Sequence, residues 1–323
     1  MISIGLPAIK PQFLSEAIQS VQKQKYSDFE LIVFNDRSDE KIRNIVKSFE
    51  DPRIRYFEEE SVLAVVENWN RVLSYARGEY FVLFSDDDRY HPDFLLEMNK
   101  LFAKYPLCNI FHCRVRKISA CGKFLACTAP CPDYESGLDF ICHRLNGDRE
   151  QFVPEFVVRT KKLKAIGGFV DLPLAWGSDD LTWFQLAMEG GIAYCSKLLF
   201  DWRQSPLQIS ETGNVEKRLL AVEKYSTWLR SFIETIHPAE DKETLVLKRI
   251  TSLYISHAER QKAHLVAINA RHTSFLHQIA FFFKNRKKYQ LKIQWLLYSC
   301  YSKLRQGTIH TAISSETHRR KDL

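Results

Sequence analysis

The eight cysteines include no Cys-x-x-Cys pair. They are Cys108, Cys113, Cys121, Cys127, Cys131, Cys142, Cys195 and Cys300, and five of them fall between positions 108 and 131. These spacings do not match those of zinc ligands. Reduced thiols in a cytosolic protein are the simpler account. No apolar run approaches the ~18–20 residues of a membrane-spanning helix; Ile279–Phe283 and Trp295–Tyr298 are far too short. The first residues, Met1–Pro7, show no basic stretch leading into a long apolar one, so no secretory leader is expected. There is no internal repeat and no low-complexity segment. Acidic residues are missing altogether from Arg260 to Ser315, a segment with ten Lys or Arg. Taking those ten from the net charge of +7 leaves the rest of the chain at −3. That charge would attract nucleic acid, but no RNA- or DNA-binding motif accompanies it, so no nucleic-acid partner is expected.

What is present suits a large core: 45% hydrophobic and 13% aromatic residues in a chain of 323, enough for one large domain or two ordinary ones. Strand and helix signals alternate through the first hundred residues. Strands are expected at Ile2–Leu6, Phe29–Phe34, Ile54–Phe57 and Glu79–Phe84. Helices are expected at Pro11–Gln24, Glu40–Phe49, Val62–Ala76 and Pro92–Lys104. This alternation implies an α/β fold with a mostly parallel sheet flanked by helices, in which ligands bind at the carboxyl ends of the strands. Pro7, Asn35-Asp36 and Asp86-Asp87-Asp88 sit at three such ends. The middle third predicts a strand at Asn109–Arg116, a hairpin or turns over Ala120–Pro132 and a helix at Ser136–Leu145. A helix from Leu181 to Met188 and two closing strands, Ile192–Cys195 and Leu198–Trp202, follow. After about Thr212 the periodicity is helical: Val215–Ile236, Glu240–His264 and Thr273–Leu304.

Tyr80-Phe81-Val82-Leu83-Phe84 runs almost directly into Asp86-Asp87-Asp88. Three adjacent carboxylates repel one another and resist desolvation, so a counter-charge is required. A divalent cation with hard oxygen ligands would supply it; a solvated acidic turn would also account for the residues.

Several landmarks in order give the chain a resemblance to the GT-A glycosyltransferases of family 2, over roughly residues 1–210. Ser3-Ile4-Gly5-Leu6-Pro7 is similar to the family's first strand, with Pro7-Ala8-Ile9-Lys10 in place of Pro-x-Tyr-Asn. Asn35-Asp36-Arg37-Ser38 stands for Asp-Asp-x-Ser, and Asn70-Arg71 falls before Gly78-Glu79-Tyr80. Asp86-Asp87-Asp88 corresponds to the Asp-x-Asp region, with Ser85 where many members have the first acid. Ser178-Asp179-Asp180, followed by Trp183 and Leu186-Ala187, looks like the Glu-Asp motif that opens the helix of the catalytic base.

The resemblance implies a Rossmann-like GT-A domain at 1–212, and the helical periodicity beyond it gives a helical C-terminal extension at 213–323, basic from about 260. It implies an inverting transfer of a sugar from a nucleotide-diphosphate-sugar, a UDP-sugar being favoured, to a saccharide or lipid-linked acceptor. Surface-polysaccharide assembly, of capsule or lipopolysaccharide, is the expected setting. Asp87, with Asp88 in reserve, is expected to hold Mn²⁺ or Mg²⁺. Pro7, Lys10, Asn35, Asp36, Asn70 and Asp86 are expected at the donor, with Asp86 toward the ribose. Asp179 is the expected base, with Asp180 raising its pKa by like-charge repulsion and standing as the alternative. Trp176 and Trp202 are candidate acceptor-binding aromatics, and equally candidate core residues. Gln204, Ser205 and Gln208 replace the His found after Tyr-Arg in many members, so a His metal ligand is not expected. His112 and His143 are expected to be packed or surface histidines.

The basic tail interleaves Phe275, Leu276, Phe281–Phe283 and Trp295–Tyr298 with Lys284, Arg286, Lys287, Lys288 and Lys292. That pattern suits a helix on an anionic membrane surface, a tail docked on the α/β body, or a homodimer contact. A cytoplasmic location, peripheral to the inner face of the membrane, follows from the first of these. Two other classes compete with the transferase: a glycoside hydrolase using Asp87 and Asp179, active without nucleotide, and a catalytically impaired homologue acting as a nucleotide- or glycan-binding module. The departures at Lys10 and Asn35 motivate the latter.

Overall fold

The computed structural model describes residues 1–60, 62–205 and 214–301. The chain begins β1 (Ile2–Pro7), α1 (Leu14–Gln22), β2 (Phe29–Asn35), α2 (Glu40–Lys47), β3 (Ile54–Glu58), α3 (Val65–Ser74) and β4 (Tyr80–Leu83). The strands lie in the order β3-β2-β1-β4, all parallel. β2 and β4 are buried along their whole length, as unbroken apolar strands covered on both faces must be. Asp39 starts α2 by accepting from the backbone N–H groups of Lys41 and Ile42.

The second half adds β5 (Arg89–Tyr90), α4 (Phe94–Lys104), β6 (Ile110–Ser119), β7 (Phe124–Cys127), β8 (Tyr134–Glu135) and α5 (Gly137–Asn146). It closes with β9 (Phe156–Arg159), α6 (Thr160–Ala165), α7 (Ser178–Met188) and β10 (Ile192–Gln204). Here the sheet becomes mixed. β9 runs antiparallel between β4 and β6, β10 runs parallel to β6, and β5 covers the far edge. The hairpin expected after β6 is β7, paired antiparallel to it. The two expected closing strands are one strand, β10, with bulges between Cys195 and Phe200 where Ser196, Lys197 and Leu198 reach solvent. α7 begins three residues earlier than the periodicity predicts, so Asp179 and Asp180 lie in its first turn.

Three helices follow: α8 (Val215–Glu234), α9 (Asp241–His272) and α10 (Phe275–Tyr289). The single helix expected over 273–304 is interrupted at Gln290, which has a left-handed φ of 52°, and residues 293–301 are helical again. The expected domain boundary at 212 and the expected end of that helix lie outside the described residues. Ala221, Tyr225, Leu229, Ile233 and Ile250 share one core with Phe81, Trp183 and Phe184 of the α/β body. The extension is thus built into the body: truncating fully buried Leu229 to Ala would cost roughly 2–5 kcal/mol. Among the described residues no helix is long and apolar enough to cross a membrane.

Candidate active site

A cavity of about 450 Å³ opens where β1 and β4 end. Pro7, Ile9 and Lys10 from the loop after β1 and Ser85–Asp88 from the turn after β4 form one side. Trp176, Gly177, Asp179 and Asp180 bring the start of α7 to it. Arg218, Tyr225, His257 and Gln261 of α8 and α9 complete the wall. Gly177 has φ 83°, and a Cβ there would stand 2.7 Å from the Tyr225 ring. Glycine therefore lets α8 pack directly against the entry to α7.

The acidic turn is neutralised residue by residue. Asp86 accepts through Oδ2 from the backbone N–H groups of Ile9 (2.7 Å) and Lys10 (2.6 Å), which fixes the loop after β1. Burial, and then the charge of Asp87, raise its pKa to about 6. Asp88 accepts from the backbone N–H of Arg203 at 2.8 Å and bonds the Ser85 hydroxyl. Burial first, and Asp87 second, hold its pKa well above the usual carboxylate range. Asp88, expected as the reserve metal ligand, lines the cavity while bonded to Arg203 N–H, and Ser85 helps to hold it. Asp87 meets instead the ammonium of Lys10, with Nζ 3.2 Å from Oδ2. The buried Arg203 side chain binds the Asp87 carbonyl, the Ala120 carbonyl and Glu16, locking the turn to β10 and α1. Among the described residues no three His, Cys, Asp or Glu side chains are grouped to hold a metal by themselves.

Two expected donor residues turn out to be structural. Asn35 is fully buried; its amide donates to the Asp39 carbonyl and the Tyr56 hydroxyl, and its Oδ1 accepts from Asp39 N–H. It shapes the turn into α2 and is not on the cavity wall. Asn70 likewise spends both amide ends on the backbone of Phe169, where it packs against Gly168. Asn68, two residues earlier on α3, is the asparagine that lines the cavity, and it donates to Asp36 Oδ2 at 3.2 Å. Asp36 stands behind it, buried, with Oδ1 lacking a hydrogen-bond partner among the described residues, Arg37 Nε 3.9 Å from it, and a pKa raised by burial.

At the opposite motif the two acids divide. Asp180 is buried and held by Arg144 Nε at 2.9 Å and by the Gln151 amide. Asp179 lines the cavity, and burial plus the charge of Asp180 push its pKa up to about 7, against the pull of Arg144. Both tryptophans are on the cavity wall. The Arg218 guanidinium lies 4.9 Å from the ring of Trp176, and Trp202 packs on Phe152 at 4.5 Å. Tyr225 has a buried hydroxyl without a hydrogen-bond partner among the described residues. Burial lowers the pKa of His257 to about 4, so it is an uncharged wall residue at neutral pH.

Arg144, Gln151, Asn68, Arg218 and Tyr225 belong to no motif in the sequence; four stand on helices that periodicity marks and Gln151 in the loop after α5, but nothing in the sequence marks the cavity they share. His112 is buried and stacked on Phe156, and His143 pairs with Glu135, both away from the cavity. Gln208 lies outside the described residues.

Residues 6–125 match the family described as Glycosyl transferase family 2. A relative in Campylobacter jejuni, a GalNAc(5)-diNAcBac-PP-undecaprenol beta-1,3-glucosyltransferase, is 34% identical over 91 residues, 27% of this chain and 29% of that protein. The chain spans about a third of the length of the first curated relatives of this kind. Among solved structures, S. aureus TarS in complex with UDP-GlcNAc superimposes with a TM-score of 0.63 at 15% identity, covering 95% of this chain and 92% of that one. The mannosyltransferase PcManGT from Pyrobaculum calidifontis, in complex with GDP-Man and Mn²⁺, gives 0.56 at 16% identity, covering 94% and 86%. These two likenesses establish the fold.

Proposed function

We infer that this chain, which carries a family 2 glycosyltransferase domain of GT-A fold, moves a sugar from a nucleotide-diphosphate-sugar to an acceptor hydroxyl with inversion. One observation carries the reading. Two acidic motifs from a strand end and a helix start line one cavity, and in each one carboxylate, Asp87 and Asp179, has among the described residues neither an arginine bonded to it nor a backbone amide from another segment.

The donor would lie across the ends of β1 and β4, with its nucleoside toward Asn68 and Asp36 and its ribose toward Asp86. Its diphosphate would reach Asp87 and Lys10. Asp179 then takes the proton of the acceptor hydroxyl as that oxygen attacks the anomeric carbon, and the nucleoside diphosphate leaves from the opposite face. A pKa of about 7 suits a carboxylate for this work, and Arg144 pairs with Asp180 beside it. Asp87 is the residue that would hold Mn²⁺ or Mg²⁺. One carboxylate, donor phosphates and waters form a set such ions accept. When bound, the ion would supply positive charge against the leaving diphosphate.

A UDP-sugar donor draws support from the UDP-GlcNAc complex of TarS, and a lipid-linked acceptor from the name of the Campylobacter relative. Trp176 and Trp202, from the far wall, would carry the acceptor sugar on their faces. The exposed Leu276, Phe283, Leu297 and Tyr298, beside Lys284 and Lys287, support docking of the tail on an anionic membrane surface at which a lipid-linked acceptor would be met. The test is nucleotide diphosphate release from a panel of nucleotide-sugars with Mn²⁺, with and without chelator. Release with no donor in the panel, together with no thermal shift from UDP or GDP plus metal, would sink the reading.

A further inference from the structure

The transfer reading gives Lys10 and Asp87 each a role at the donor but does not account for their being paired with one another. Lys10 Nζ sits 3.2 Å from Asp87 Oδ2, and both side chains are largely sequestered, 20% and 11% exposed. The lysine is not there by chance of a free loop: its own backbone N–H is anchored on Asp86, 2.6 Å away. The neighbouring carboxylates cannot supplement Asp87 cheaply. Asp86 Oδ2 already holds two backbone N–H groups and Asp88 Oδ1 holds Arg203 N–H, so turning either carboxylate toward a new ligand would strain the bonds that fix the turn. The resting site therefore offers a divalent ion one carboxylate, already neutralised by a cation a hydrogen-bond length away. Bringing a second cation to that oxygen meets direct repulsion.

We propose that Lys10 is a resident cation at the metal position: it occupies Asp87 in the unliganded protein, keeps bare divalent ions out, and yields the carboxylate only when a diphosphate arrives to take the ammonium. A diphosphate brings negative oxygens both for Lys10 and for the ion, so ion and nucleotide bind together and each strengthens the other. The second half of this proposal rests on the nucleotide-sugar reading; the first half does not.

The test uses the full chain and Mn²⁺ as the probe, with free Mn²⁺ followed by its EPR signal. The wild-type protein is expected to bind Mn²⁺ alone at least about tenfold more weakly than Lys10→Met. Lys10→Arg, which keeps the cation, is expected to behave as wild type. UDP or GDP should tighten Mn²⁺ binding strongly in the wild type and much less in Lys10→Met. With chelator present, the variant should hold the nucleotide more weakly than the wild type. Lys10→Gln repeats the comparison with a shorter neutral side chain, and adding Asp87→Asn to Lys10→Met should abolish the gain. Equal affinity for Mn²⁺ alone in the wild type and both neutral variants overturns the proposal, as does a gain that survives Asp87→Asn. Tighter Mn²⁺ binding by the neutral variants, with no response of any protein to UDP or GDP, upholds the ion pair and counts against the nucleotide-sugar reading instead.

Discussion

The acidic turn after β4 and the acidic first turn of α7 line the same cavity, and they handle crowded carboxylates by different means. After β4, backbone N–H groups from distant segments take Asp86 and Asp88, and a lysine takes Asp87. At the start of α7, Arg144 and the Gln151 amide take Asp180, and Asp179 keeps its charge problem. Burial, and then the charge of Asp180, raise its pKa to about 7. A compensated carboxylate is suited to exchanging one cation for another; an uncompensated one is suited to accepting a proton. The partners of an acid, more than the number of acids in a run, separate these roles.

Removing the uncompensated acid should give the largest effect. Asp179→Asn is expected to lower the transfer rate by about 10³-fold or more while leaving UDP affinity by calorimetry nearly unchanged; full activity in this variant with loss in Asp180→Asn would reverse the assignment. Asp87→Asn should cost about a hundredfold in rate and leave the residual activity indifferent to chelator. Asp180→Ala tests the other half of the contrast, because it strands Arg144. A loss of roughly 3–5 kcal/mol of stability is expected in denaturant titration, against little change for Asp179→Ala.

The pH profile sharpens the comparison further. Asp179 must be ionised to act, so the rate should rise with pH through about 7. Asp180→Asn removes the negative neighbour and should move that rise to lower pH. The sign for stability is the reverse of that for activity. With its folded pKa raised, Asp179 favours the folded state most below the ordinary carboxylate range, and this contribution is lost as pH climbs through about 7. The smallest functional effect belongs to Asn70→Ala, expected to cost about 1–2 kcal/mol of stability with donor affinity intact; weakened donor binding at unchanged stability would return Asn70 to the site.

Much of the frame was legible because buried parallel strands and amphipathic helices write their periods into the sequence. Pro7, Asp36 and Asp86 could be placed at strand ends from the alternation, and Asp179 at the start of a helix from the resemblance. Asn35 and Asn70 lie off the cavity wall, and position in a motif does not reveal whether an amide's hydrogen bonds are spent on its own surroundings. The wall from α8 and α9 was invisible for a physical reason. Arg218, Tyr225 and His257 come together only through packing of helices remote in sequence. Gln290 carries a left-handed turn that its residue type does not announce, so one helix was expected where two exist.

Arg203 ties Glu16, Ala120 and the Asp87–Asp88 backbone region together, spanning 187 positions of sequence in its longest bond. During synthesis the acidic turn emerges more than a hundred residues before the arginine that completes it. Until β10 joins the sheet, Asp88 has no amide to bind and the turn cannot reach its final shape. The last strand is thus a condition for the cavity: without β10 in the sheet, the turn after β4 lacks both Arg203 N–H and the Arg203 side chain that clamps it.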